Sequence, residues 1–187
     1  DDEGICLISR KKKTSKAYRT DSTVSSKLNR LPHIDDRSAA SDHDISFVHT
    51  RYAILDLSDR GHQPFYSHDG SVVAVFNGEI YNYLELKEEL QALGVEFRTT
   101  SDTEVLVEGY CVWGDGLWPK MNGFWAVALY DTKNDIITLS RDRIGVAPLY
   151  YMETEDGLFF SSYIQPLLNV ARREPAIDLD AVIGYLQ

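Results

Sequence analysis

The sequence predicts an α+β fold in which helices cover stacked sheets. Alternating apolar and polar residues, typical of half-buried strands, occur up to Ile80 and again from Phe124. Two helical patterns stand next to each other between these strand-rich segments. An order of strands, two adjacent helices and more strands favours helices that are segregated from the sheets rather than alternating with every strand. At 187 residues the chain is long enough to bury a sizeable core.

Strands dominate the N-terminal part of the chain. A short apolar strand is predicted at residues 4–9. The basic, Ser- and Thr-rich segment at 10–19 is interpreted as a solvated loop, because the chain around it is acidic. A weak helix is predicted at 23–30, ended by Pro32. The remaining predictions here are strands at 45–51, 52–57 and 71–80 and a turn region at 61–70.

Two helices are predicted in the middle of the chain. The first spans residues 83–93, and Gly94 is a natural stop for it. The residues expected on its apolar face are Leu84, Leu86, Leu90 and Leu93. Residues 95–99 alternate as a strand does. The string Ser-Asp-Thr-Glu at 101–104 has the pattern of a helix start, and we expect the second helix to run to about residue 112.

Strands return in the C-terminal part. They are predicted at 124–130, 136–141 and 158–161. The Asp156-Gly157 pair predicts a hairpin that joins the last of these to residues 149–152. Asp178 or Asp180 would cap a helix that stops at Gln187, with its apolar residues left uncovered. This pattern predicts that a further domain follows.

Composition excludes several classes of protein. A net charge of −10 argues against nucleic acid as the main partner, since phosphate binding needs a surplus of Lys and Arg. Cys6 and Cys111 are too few for a disulfide framework, which fits a cytoplasmic protein. No apolar run suits a signal peptide or a membrane span. His49 and His62 have no Cys, Asp or Glu at ligand spacing, so no metal site is predicted.

Several short strings occur in a specific order. They are His-Thr-Arg at 49–51, Ala-Ile-Leu-Asp at 53–56, Gly-His-Gln-Pro at 61–64, Asn-Gly-Glu-Ile-Tyr-Asn at 77–82, Ser-Asp-Thr-Glu at 101–104, Arg-Asp-Arg-Ile-Gly at 141–145 and Pro-Leu-Tyr-Tyr at 148–151. Together they resemble the class II glutamine amidotransferase domain of asparagine synthetases. The resemblance is strong from about residue 49 to 151.

The resemblance carries expectations for the fold and the partners. It implies a four-layer αββα sandwich of two antiparallel sheets, as in N-terminal-nucleophile hydrolases. The domain would cover residues 1–175, with 176–187 forming a linker and the first turns of a C-terminal synthetase domain. That second domain, in the same chain or associated with it, would bind ATP and Mg, and this domain would need no cofactor. Glutamine or a related amino acid is the expected ligand, and a homodimer is an open alternative.

The resemblance also implies roles for individual residues. In such domains an N-terminal cysteine attacks the side-chain amide of glutamine, with its own α-amine as base. Arg51 matches the position that grips the substrate α-carboxylate, and Asp102 the position that pairs with the α-ammonium. Asn77 and Gly78 match the oxyanion hole, and Glu79 would add local polar contacts. Taken alone, the same residues suit a surface arginine, a helix N-cap at Asp102 and a hairpin turn at Asn77-Gly78.

Two departures from the family pattern affect the chemistry. The family begins with Cys-Gly-Ile or a similar string, whereas Glu3 precedes Gly-Ile at residues 4–5 here. Cys6 would need cleavage and a shift of register to replace the nucleophile, so we interpret it as a small strand residue. Residues 34–37 are Ile-Asp-Asp-Arg where the family has Arg-Gly-Pro-Asp. Ala147 also stands where the family commonly has a long basic residue.

These departures favour a pseudo-glutaminase, as in the β-lactam synthetase branch of the family. Such a domain would retain an amino-acid pocket and a scaffold role for an ATP-dependent, amide-forming partner domain. Two alternatives stay open. One is an active glutaminase domain of an asparagine synthetase with an altered N-terminus. The other is a stand-alone amino-acid-binding or interaction module.

Overall fold

A computed structural model describes residues 2–10, 14–18, 43–51 and 61–171, together with 179, 183 and 184. The chain divides into two compact units, Asp1–Ala147 and Pro148–Gln187. Several predictions lie outside the described residues. They are the helix at 23–30, the loop at 34–37, the strand at 52–57, the domain boundary at 175 and most of the C-terminal helix.

Within the described residues, the first sheet has three strands in the order β2-β1-β3. They are β1 (Asp2–Ser9), β2 (Thr14–Tyr18) and β3 (Ile45–Arg51), and β1 pairs antiparallel with both neighbours. The interpretation of 10–19 as a loop was wrong, because this segment contains β2. A strand at the edge of a sheet has one unpaired side, where Lys and other polar residues limit association with other chains. The polar sequence of β2 therefore suits an edge strand.

The second sheet has four antiparallel strands in the order β4-β5-β6-β7. They are β4 (Phe65–Tyr66), β5 (Val72–Ile80), β6 (Gly123–Asp131) and β7 (Ile136–Arg141). The predicted turn region at 61–70 thus contains the two-residue strand β4. The pairing of β5 with β6 runs without a bulge from Val72 opposite Asp131 to Ile80 opposite Gly123.

Two helices connect β5 to β6, α1 (Tyr83–Ala92) and α2 (Asp102–Trp113), and a short 3-10 helix (Gly114–Leu117) follows α2. Leu86 and Leu90 are buried, as predicted, but Leu84 and Leu93 are exposed. Leu84 lies about 200° around the helix from Leu86, so both cannot face the core. Gly94 ends α1 at a positive φ of 90°. Its N–H and the next N–H bond back to the last turn, as in a Schellman motif.

The link between the helices is not the predicted strand at 95–99. The N–H groups of Arg98 and Thr99 donate to the two carboxylate oxygens of Glu104, at 2.8 and 2.7 Å. The alternating pattern of residues 95–99 arises because this loop packs Val95 and Phe97 against the core. The predicted start of α2 is confirmed, and Ser101 is its N-cap, accepting the N–H of Thr103 at 3.1 Å.

The second sheet lies between the helices and the first sheet. On its helical face, residues of β5 and β6 pack in one cluster with Leu86, Leu90 and the buried side of α2. On its other face, the small residues Ala126 and Ala128 are buried outside that cluster, and β3 packs against β5. The predicted α+β sandwich is confirmed, with both sheets and one helical layer in the described part of the chain.

The second unit contains β8 (Tyr150–Thr154), β9 (Gly157–Ser161) and α3 (Ile164–Ala171). β8 and β9 form the predicted hairpin, with Thr154 opposite Gly157. The loop is therefore made by residues 155 and 156, and Gly157 begins the returning strand. None of the helices that the structure describes has both the length and the apolar character needed to cross a bilayer.

Candidate functional site

Two contacts between the sheets show that β3 and β5 run in the same direction. Arg10, just after β1, donates to the Asp135 carboxylate at 2.8 and 2.6 Å, beside the turn between β6 and β7. The N–H of Arg10 also bonds to Asp44, just before β3, at 2.9 Å. Further along, His49 Nε2 lies 3.1 Å from the carbonyl oxygen of Phe76. The start of β3 therefore lies near the start of β5, and their ends lie together.

This arrangement brings most of the predicted site residues to one end of the sandwich. Arg51 lies two residues beyond His49 in β3, and Gly78 lies two residues beyond Phe76 in β5. Because β1 is antiparallel to β3, its first residues lie at the same end, with Glu3 opposite Thr50. The end of the sandwich where the family resemblance predicts the amidotransferase site is therefore formed by strands of both sheets.

The edge of β5 that faces away from β6 is bonded by side chains. β4 pairs only with Val73 and Ala74. Beyond it, Gln63 Oε1 accepts the N–H of Phe76 at 2.6 Å, and Gln63 Nε2 donates to the carbonyl of Phe76 at 3.0 Å. At the end of the strand, Asp102 Oδ2 accepts the N–H of Ile80 at 3.1 Å.

Gly78 presents a backbone donor between these two side chains. Successive residues of an antiparallel strand direct their N–H groups to opposite edges, so every second residue points to the same edge. Since Phe76 and Ile80 donate away from β6, Gly78, midway between them in an unbroken register, points its N–H to the same edge. The predicted backbone donor therefore lies on an edge that β4 does not cover.

Glycine is required at position 78 on steric grounds. Its φ is 157°, and an added Cβ would lie 2.2 Å from the carbonyl oxygen of Phe124 and 2.8 Å from Trp125 Cα in β6. A side chain would force the two central strands apart. The Asn77-Gly78 pair is therefore part of a continuous strand, which excludes the alternative of a hairpin turn.

Asp102 is the first residue of α2 and not its N-cap, which is Ser101. The carboxylate is buried. Burial raises the pKa of Asp102, the N–H groups of Ile80 and Thr103 oppose that rise, and the negative charge of Glu79 adds to it. A buried carboxylate that is costly to ionise favours a cationic group beside it, because an opposite charge offsets the desolvation. This environment suits an ammonium ligand.

Asn77 and Glu79 alternate with Gly78, so they belong to the face of β5 that is turned toward the first sheet. Asn77 is exposed and Glu79 is half-buried, in contrast to the buried valines earlier in the strand. The sandwich is therefore less tightly closed at this end, and the polar side chains are accessible there.

The Arg-Asp-Arg string frames this end without joining the site. Asp142 is buried and accepts four backbone N–H groups, from Trp125, Ile144, Val146 and Ala147. Burial alone would raise the pKa of Asp142, but these bonds lower it to about 2. The neighbouring arginines bond to carbonyls, those of Gly145 and Ala147 for Arg141 and those of Pro119 and Met121 for Arg143. The prediction that this string positions strands agrees with these contacts.

A cleft lies elsewhere on the first unit. It has a volume of about 710 Å³ and runs along the outer side of β4 and the link between the helices. The residues that line it are His62, Pro64, Phe65, Tyr66, Phe97, Arg98 and Thr99. None of the predicted site residues is among them. Within the described ranges, no group of three His, Cys, Asp or Glu side chains is placed to hold a metal ion.

Sequence analysis assigned no role to Gln63 or to the ring of His49. Both lie inside the strings that carry the resemblance, and this was the only signal available. Both bond to the main chain of Phe76, one residue before Asn77. The structure therefore adds two residues that hold the strand next to the predicted oxyanion hole.

The profile of the family described as a glutamine amidotransferase domain matches residues 4–187. The putative asparagine synthetase 2 (glutamine-hydrolyzing) of Methanocaldococcus jannaschii is 40% identical over 157 residues, covering 75% of this chain and 30% of that protein. Asparagine synthetase 2 (glutamine-hydrolyzing) of Bacillus subtilis is 42% identical over 135 residues, covering 72% and 18%. The chain thus spans less than a third of the length of these relatives.

A solved structure supports the fold. Glutamine phosphoribosylpyrophosphate amidotransferase from B. subtilis superposes with a TM-score of 0.63 at 20% sequence identity. The match covers 91% of this chain and 37% of that chain. At this level of identity the likeness concerns the fold alone, and it agrees with the predicted N-terminal-nucleophile hydrolase sandwich.

Proposed function

The chain belongs to the glutamine amidotransferase domains of the asparagine synthetase family, and from this membership we propose that it is a pseudo-glutaminase with a retained amino-acid pocket. The observation that carries the proposal is a contrast at one end of the sandwich. Gly78 and Asp102 are built into the fold there, whereas the residue that precedes Gly4 is Glu3. Binding groups are present where a thiol nucleophile is absent.

The chemistry of glutamate explains why hydrolysis should fail. A carboxylate that attacks an amide would form an anhydride, which is a poor intermediate beside a thioester. Its negative charge would also oppose the oxyanion that develops near the Gly78 N–H. Glu3 therefore cannot replace a cysteine at this position, even if it lies close to the bound amide.

The same end of the sandwich suits a free α-amino acid. The buried Asp102 carboxylate would pair with the α-ammonium, and the Arg51 guanidinium would pair with the α-carboxylate. The Gly78 N–H and the Asn77 side-chain amide would donate hydrogen bonds to the side-chain carbonyl oxygen of glutamine. Glu79, half-buried beside them, would add a polar contact.

The partner would be a C-terminal synthetase domain. The named relatives are asparagine synthetases, and this chain matches 18–30% of their length. ATP and Mg would belong to that second domain, which would activate a carboxylate for amide formation. In that assembly this domain would act as a scaffold and a sensor of amino acid.

Two measurements test the proposal. Incubation with glutamine should release glutamate no faster than a protein-free blank. Calorimetric titration with glutamine should show binding that Arg51→Ala weakens about tenfold or more, because a hydrogen bond to a charged group contributes roughly 1.5–3 kcal/mol. Arg10→Ala is the matched control, since Arg10 lies at the opposite end of the two sheets.

The second candidate, an active glutaminase, is favoured by the names of the relatives, which are glutamine-hydrolyzing enzymes. Robust glutamate release would establish this candidate and refute the pseudo-glutaminase. Absence of both turnover and binding would instead refute the retained pocket. The three outcomes separate catalysis, binding without catalysis and a purely structural domain.

A further inference from the structure

We propose that Gln63 is a positioning residue that orients the backbone N–H of Gly78 toward the ligand. This inference rests on the proposed function, because it concerns the donor that the bound side-chain amide would meet. Gln63 is buried and lies outside the set of residues that the family resemblance assigns to binding.

Gln63 acts as a substitute for a strand neighbour of β5. Phe65 lies opposite Ala74 in the β4–β5 pairing, so the same register carried two residues back places Gln63 opposite Phe76. There the side chain makes the two hydrogen bonds that a backbone would make, accepting the N–H of Phe76 at 2.6 Å and donating to its carbonyl at 3.0 Å. A primary amide has the donor and the acceptor needed for both bonds.

A second contact to the same carbonyl comes from the first sheet. His49 Nε2 lies 3.1 Å from the Phe76 oxygen. A carbonyl oxygen only accepts, so Nε2 carries the hydrogen and donates. The carbonyl of Phe76 is therefore bound both by Gln63, just before β4, and by His49 of the first sheet.

Gly78 lies midway between two residues that are held at the same edge. On one side Phe76 is bound by Gln63, and on the other the N–H of Ile80 is bound by Asp102. A rotation of the strand that turned the Gly78 N–H away from the edge would break at least one of these bonds. Asp102 is already a predicted ligand contact, which leaves Gln63 as the positioning residue that no ligand needs to touch.

The side-chain chemistry of glutamine is specific for this task. Gln63→Glu keeps the length and the acceptor but replaces the donor with a carboxylate oxygen that repels the Phe76 carbonyl. Gln63→Met keeps a similar length and removes both bonding groups without adding charge. These two variants test the same contact by different means, so a folding failure in one leaves the other informative.

The experiment follows the Gly78 amide by nuclear magnetic resonance in the ¹⁵N-labelled chain, with glutamine as the probe ligand. We expect each Gln63 variant to shift the Gly78 resonance, to speed its hydrogen exchange and to weaken glutamine binding about tenfold. Gln91→Glu, the same change on the exposed side of α1, should alter none of these.

The outcomes distinguish this inference from the proposed function. An unchanged Gly78 resonance and unchanged affinity in folded Gln63 variants would overturn the positioning role, even if the unfolding midpoint falls. If the unaltered chain binds no glutamine, the proposed pocket fails. The Gly78 resonance and its exchange rate then still decide whether Gln63 orients this N–H.

Discussion

Replacement of Asp142 by asparagine should destabilise the end of the sandwich that carries the candidate site. Asp142 Oδ1 accepts the N–H groups of Ile144 and Val146, and Oδ2 accepts those of Trp125 and Ala147. An asparagine keeps one oxygen and points its amide hydrogens at the other pair of N–H groups. Two of the four bonds are therefore lost and replaced by repulsion.

The magnitude follows from the pKa of Asp142, which these bonds lower from 3.8 to about 2. At 1.36 kcal/mol for each pKa unit, the ionised carboxylate contributes about 2 kcal/mol to the free energy of unfolding. An acidic group whose pKa is lower in the folded than in the unfolded state stabilises the folded state at pH values above its unfolded-state pKa. The contribution is therefore present above about pH 4 and is lost as the pH falls toward about 2.

Urea denaturation followed by tryptophan fluorescence would measure this. We expect the free energy of unfolding of Asp142→Asn to be about 2 kcal/mol or more below that of the unaltered chain at pH 7. This difference should become smaller as the pH falls below about 4. Glu88→Gln, which removes an exposed carboxylate on α1, should show no such gap. A loss of stability that is the same at pH 7 and pH 3 would refute the assignment of the stabilisation to the charged carboxylate.

Two further changes address the site itself. Gly78→Ala should lower the free energy of unfolding by about 1–3 kcal/mol through overpacking against Phe124, and it should abolish glutamine binding. Gly116→Ala, where a Cβ has room, should leave the stability unchanged. Equal urea midpoints for the two variants would contradict the steric argument. Because burial raises the pKa of Asp102 and an ammonium ligand needs its ionised form, glutamine affinity should increase as the pH rises through that pKa. Asp102→Asn should weaken binding about tenfold or more and remove this pH dependence, and calorimetry over a pH series would show a persistent dependence if another group were responsible.

The long strands and the helices were predictable because each has a local signal. β3, β5, β6 and β7 are six to nine residues long and rich in apolar residues, and all four were predicted as strands. The start of α2 was predictable because Ser101 caps it with its own side chain. In these segments the local preference and the tertiary contacts agree.

β4 and the loop at 95–99 depend on contacts made outside their own segments. β4 is two residues long, and only its pairing with β5 makes it a strand. Residues 95–99 have a strand-like sequence, yet two of their backbone N–H groups donate to the Glu104 carboxylate. α3 was not predicted at all, because Pro166 near its start reads as a break although proline is tolerated in the first turn of a helix. The outcomes at β4 and at 95–99 therefore do not follow from local periodicity.

The candidate site shows the same division between local and distant information. The strings indicated Asn77, Gly78 and Asp102 as residue types, but not that the Gly78 N–H faces the part of the β5 edge that β4 does not cover. That edge exists because Gln63 and Asp102, 39 positions apart in the sequence, bond on either side of it. A backbone donor has no side chain to identify it, so only the register of the strands locates it.

The same contacts explain how this end of the domain could keep its structure without hydrolysing glutamine. Gly78 is needed for the close approach of β5 and β6, Asp102 ties α2 to β5, and Gln63 holds the edge of β5. Each residue would therefore stabilise the fold whether or not glutamine is hydrolysed. Their presence alone therefore does not require that glutamine binds. The effect of Arg51→Ala on glutamine affinity is therefore the decisive measurement, because it separates a residue kept for binding from residues kept for stability.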